Sequence, residues 1–119
     1  MKLIENKIEK LEQKNDLLGI YEQIEIAGRT AYKSLDKIEY DKNGRSKTAK
    51  EFVERMVSMN HGSTLEHGTV YLLIHSKDDN MRPYYFNNYS ICKLLPYLDN
   101  DNHSIWAVTT NYRVLVEND

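Results

Sequence analysis

The run His61, Gly62, Ser63, Thr64, Leu65, Glu66 and His67 brings imidazoles, hydroxyls and a carboxylate together in one short stretch. Held by a rigid junction, such groups can contact a phosphate, a ribose or a ring nitrogen. The same residues also suit a plain turn, in which Ser, Thr and Gly shape the backbone and Glu66 bonds a nearby amide. Metal ligation fits less well. His61, Glu66 and His67 lack the four-residue helical histidine spacing of zinc peptidases, and His75 lies a strand further on. Cys92, between Ile91 and Lys93, has no neighbouring base in the sequence to lower its pKa and reads as an inert buried thiol. Arg29, Arg45, Arg55, Arg82 and Arg113 are scattered, and Arg113 is the best single candidate to meet a substrate anion. There is no phosphate-binding loop ending in Gly-Lys-Ser/Thr and no glycine-rich dinucleotide fingerprint.

The elements that would position this run come from a chain of 119 residues, 40% hydrophobic and 29% charged, enough for one globular domain over 1–119. A net charge of -2 with interspersed signs gives no footprint for nucleic acid or an anionic membrane, so the expected partner is a small molecule or another protein. No apolar run reaches the roughly 20 residues a bilayer span needs, the N-terminus lacks a signal-peptide core, and the single cysteine fits a reducing cytoplasmic setting. Of the nine tyrosines, Tyr84, Tyr85, Tyr89 and Tyr97 cluster, as at a core edge or subunit interface.

Residues 2–13 read as two short strands or a frayed helix, with strands preferred. Asp16 is placed to cap a helix whose buried face is Leu17, Ile20, Tyr21, Ile24, Ala27 and Ala31. Asp41 to Ser46 reads as an exposed turn. Thr48 and Glu51 form a capping-box pattern for a second helix, with Phe52, Val53, Met56, Val57 and Met59 as its buried stripe and His61-Gly62 as its end. His67 to Ile74 is the best strand, Met81 to Leu98 a helix disturbed by Pro83 and Pro96, and Asp99 to His103 a turn. Ile105 to Thr109 reads as a strand, and Thr110 or Asn111 caps a last helix through Val116. The resulting class is α+β, with an antiparallel or mixed sheet, two to four helices packed on it and no Rossmann fold.

Three stretches in order, Ala27-Gly28-Arg29-Thr30-Ala31-Tyr32-Lys33-Ser34, the helix from Thr48 into His61-x-Ser63-x-x-Glu66-His67, and Thr109-Thr110-Asn111-Tyr112-Arg113, resemble the flavin-dependent thymidylate synthases. The likeness covers most of the chain. It implies a homotetrameric α+β enzyme that binds FAD between subunits and methylates dUMP with methylenetetrahydrofolate, using hydride from flavin that NADPH has reduced. By motif, His61, Ser63 and Glu66 would lie on the flavin side, the first two donating to the cofactor and Glu66 orienting neighbouring donors. Ala31 stands where many members carry Ser or Cys. The family's Arg-His-Arg segment, which precedes its nucleotide clamp, does not occur in these 119 residues, so the expectation is a truncated scaffold unable to turn over alone. The alternative expectation is a catalytically silent oligomerisation module derived from that scaffold.

Overall fold

The computed structural model describes residues 6–76, 93–98 and 104–117. Within them the order is α1 (Leu17–Ala31), a 3-10 turn (Leu35–Lys37), α2 (Ala49–Ser58), α3 (Gly62–Leu65), β1 (Thr69–Ser76), β2 (Lys93–Leu98), β3 (Ser104–Asn111) and α4 (Tyr112–Glu117). The three strands form one antiparallel sheet in the order β1-β3-β2, and the class is α+β.

Asp16 caps α1 as expected, its Oδ1 accepting from the Gly19 N–H at 2.7 Å. The buried face of α1 is rotated from the one its apolar spacing implies. Ile24 is fully buried, but so are Glu25, Gly28 and Arg29, whereas Leu17 is 56% exposed and Ala31 is exposed. The cause is polar. Glu25 accepts from Ser46 Oγ (2.5 Å), Thr48 Oγ1 (2.6 Å) and Arg29 Nε (2.9 Å), which draws that side of α1 against the loop before α2. Gly28 is required at the crossing, because a Cβ there would lie 2.5 Å from the Phe52 ring.

The loop itself is a turn, as expected, closed by the Tyr40–Ser46 bridge with Gly44 at φ 76°. Arg45 reaches from it to Asp16 (2.9 Å) and Glu22 (2.8 Å). The Arg45 hydrogen bond, with the Gly19 N–H, holds the Asp16 carboxyl below its ordinary value. Burial works against ionisation of Glu22, but Arg45 and the Ser46 N–H outweigh it and lower that pKa also.

Several expectations are corrected. The capping box does not form: Thr48 sits at φ -110°, ψ -8° with its hydroxyl committed to Glu25 rather than to the helix end. Helix α2 buries Phe52, Val53 and Met56 but stops at Ser58, leaving Met59 54% exposed. Residues 6–13 form no strand, because their Lys–Glu pairs and Ile8, 99% exposed, remain in solvent. Gln13 alone engages the sheet, its side-chain amide bonding the Thr69 N–H (2.9 Å) and C=O (2.8 Å) as a neighbouring strand would. Lys93–Leu98 is strand β2 rather than the end of a helix; Pro96, which cannot donate, is tolerated because β2 is an edge strand among the described residues. Met81 to Cys92, Asp99 to His103 and residues 1–5 lie outside the described residues, and with them the expectations for Cys92, Tyr84, Tyr85 and Tyr89.

The remaining elements follow the sequence. β1 runs Thr69–Ser76 and β3 runs Ser104–Asn111, paired from Thr69↔Asn111 to Ser76↔Ser104. Val70 and Val108 are buried while Tyr71 and Leu73 are 71% and 61% exposed, the period-two signature of a sheet covered on one face. Of the two candidate caps, Asn111 serves α4, accepting from the Val114 N–H at 3.1 Å. Among the described residues no helix is long and apolar enough to cross a membrane.

Candidate functional site

The approach to the site begins where α2 stops. Asn60 takes a left-handed conformation (φ 57°), which Asn tolerates better than most side chains, and this reverses the chain so that His61 becomes the N-cap of α3 instead of the tail of α2. His61 is half-buried. Its Nδ1 lies 2.9 Å from the Tyr32 hydroxyl, and the rings stack with centroids 6.2 Å apart at 29°. Tyr32 is the C-cap of α1 and His61 the N-cap of α3, so two helix ends hold the rings together and orient the imidazole.

Gly62 is buried against α4: a Cβ there would lie 2.6 Å from Arg113 Nε and 2.9 Å from its Cζ. Arg113 in turn is held by Glu66 (3.3 Å) and Glu117 (3.0 Å). The helix that carries it is docked by Tyr112, whose N–H donates to the Gly68 carbonyl at 2.9 Å. Tyr112 also meets Tyr21 hydroxyl to hydroxyl (3.3 Å) and ring edge to face (5.5 Å, 83°). Burial, then the Tyr21 hydroxyl, pushes the Tyr112 phenol up to about 12.

The outcome is a cleft of about 360 Å³ lined by Tyr32, Asn60, His61, Gly62, Ser63, Thr64 and Arg113. His61 and Ser63 therefore share one concave surface. Glu66 does not line it and acts through Arg113, an ion pair that bridges α3 and α4. His67 is exposed and lies on a different groove with Gln13, Thr69 and Tyr71, and His75 is exposed on β1. Among the described residues no group of three His, Cys, Asp or Glu side chains is placed to hold a metal.

Tyr32 and Asn60 were not singled out by residue type. Tyr32 had one visible signal, its place in the stretch 27–34 that carries the resemblance, and Asn60 had another, as a residue suited to positive φ immediately before His-Gly. Chemically, the cleft offers an imidazole, a hydroxyl, an amide and a guanidinium, a donor-rich set for carbonyl and phosphate oxygens. No protein-family model, curated protein or solved structure matches this chain.

Proposed function

We propose that this chain supplies the flavin side of an FAD-dependent thymidylate synthase scaffold, with His61 and Ser63 contacting the cofactor and Glu66 positioning Arg113. The observation that carries the reading is the shared cleft of His61, Ser63 and Arg113, with Glu66 bound to Arg113 behind it. The donor set fits the oxygens of a flavin dinucleotide, and the size of the cleft suits part of that cofactor, the rest falling to a second subunit of a homo-oligomer. Bound FAD, reduced by NADPH, would supply the hydride used in methylating dUMP with methylenetetrahydrofolate. Because Arg-His-Arg is absent from the 119 residues, the activity proposed for this chain is cofactor binding in a cytoplasmic setting, without turnover on its own.

Titration of FAD into the full chain, followed by flavin fluorescence and absorbance, tests this. Saturable binding is expected, weakened at least tenfold in a His61→Ala/Ser63→Ala variant that keeps its circular dichroism. A folded wild-type chain that leaves free-flavin spectra unchanged would overturn it. The silent oligomerisation module is the second reading, favoured by exposed Tyr71 and Leu73 on edge strand β1; it expects a dimer or larger assembly that ignores FAD.

A further inference from the structure

The Tyr32–His61 pair separates the candidate flavin cleft from a second cavity of about 400 Å³, formed between the end of α1, the 3-10 turn and α2. Its composition differs from that of its neighbour. Phe52 and Met56, 3% and 4% exposed, give it an apolar base, and Tyr32 and Met59, each 54% exposed, add large apolar surface at a position open to solvent. Three bases, Arg29, Lys37 and Arg55, line it together with His61, and among the described residues no acid does.

These cations are not equivalent. Arg29 is buried and its charge is offset by Glu25. Lys37 and Arg55 are exposed and, among the described residues, neither forms an ion pair. Arg55 is nonetheless placed, because its guanidinium carbon lies 5.6 Å from the Phe52 ring centroid while that of Arg29 lies 4.9 Å from the same ring. An exposed phenol ring and thioether beside a guanidinium fixed on Phe52 and an ammonium are complementary to a molecule with a flat apolar body and an anionic end.

We infer that this cavity binds a small aromatic anion, the ring packing on the exposed Tyr32 and Met59 above the buried Phe52 and Met56 floor and the carboxylate or phosphate meeting Lys37 and Arg55. The inference stands on its own cavity and does not rest on the flavin reading. Neither cation belongs to the candidate flavin cleft, so the two sites can be tested separately.

The test uses the full chain with 2-naphthoate and 2-naphthyl phosphate as probes and neutral 2-naphthol and inorganic phosphate as controls, measured by calorimetry and by protein NMR shifts. One-to-one binding of at least one anionic probe is expected, at least tenfold tighter than 2-naphthol and weakened by salt. Tighter binding of the phosphate identifies a phosphate ester as the ligand class, and tighter binding of the carboxylate identifies an aryl carboxylate. Lys37→Ala and Arg55→Ala, both at exposed positions, should each weaken the preferred probe at least threefold, and Met59→Gln should weaken it without changing the salt dependence. Equal affinity for 2-naphthol, inorganic phosphate binding as tightly as the aromatic anions, unchanged affinity in a folded Lys37→Ala/Arg55→Ala variant, or absence of saturable binding would each overturn the inference.

Discussion

Removing the carboxylate of Glu25 isolates the strongest polar constraint in the structure. Its side chain is 1% exposed and that of its partner Arg29 7%, so Glu25→Ala leaves a guanidinium buried without its counter-charge and deprives Ser46 and Thr48 of their acceptor. Breaking one side of such a pair costs about 3–5 kcal/mol. For a domain whose total stability is about 5–15 kcal/mol this is a large share, and with a urea slope of about 1.5 kcal/mol/M it lowers the midpoint by about 2–3 M. The double variant Glu25→Met/Arg29→Met removes both charges. What it loses is the pair of hydroxyl bonds, about 1 kcal/mol each, and the Arg29–Phe52 stacking, about 1 kcal/mol. The double variant should therefore cost about 3 kcal/mol, less than Glu25→Ala, which loses the same two hydroxyl bonds besides stranding the charge, and it remains measurable if the single variant fails to fold. Urea titrations of wild type, Glu25→Met, Arg29→Met and the double give the coupling directly, with Glu25→Ala measured beside them. A loss under about 1 kcal/mol for Glu25→Ala, or a double equal to the sum of its singles, would refute the reasoning.

Gly62→Ala, at the buried first residue of the four-residue α3, gains little from helix propensity and displaces Arg113, whose Nε lies 2.6 Å from the new Cβ. Stability by urea titration should fall by about 1–3 kcal/mol, and on the proposed flavin reading FAD affinity should fall at least threefold as Arg113 leaves Glu66. Among the described residues Thr110 Oγ1 is buried without a hydrogen-bond partner, so Thr110→Val should raise the urea midpoint, by about 1 kcal/mol in stability. Asp16 and Glu22 have folded pKa values below their ordinary 3.8 and 4.5, so the unfolded chain binds more protons in acid. Their contribution is present above those values and lost as pH falls through the folded ones. Denaturation followed from pH 6 to pH 2 should show that decline, and Arg45→Met should flatten it.

How the site was legible differs residue by residue. Asp16 as a cap, the α2 face of Phe52, Val53 and Met56, the alternation about Val70 and the Asn111 cap are local patterns, set by neighbours within a turn or a strand, and so can be read along the chain. The order His61, Ser63, Glu66 was visible for the same reason. What the order could not convey is that Glu66 meets Arg113, 47 residues later, or that Tyr32, 29 residues earlier, holds His61. Thr48 illustrates the limit most sharply. Its local pattern favours a capping box, but the buried carboxylate of Glu25, 23 residues away, is the acceptor its hydroxyl satisfies. Pro96 similarly argued for a broken helix until the pairing of β2 with β3 placed it on an edge strand. Local sequence determined which segments turn, cap or alternate, because those preferences act over a few bonds. Only the tertiary structure decided which polar groups face one another, because desolvating a charge makes its partner, however distant in sequence, the dominant influence on where it sits.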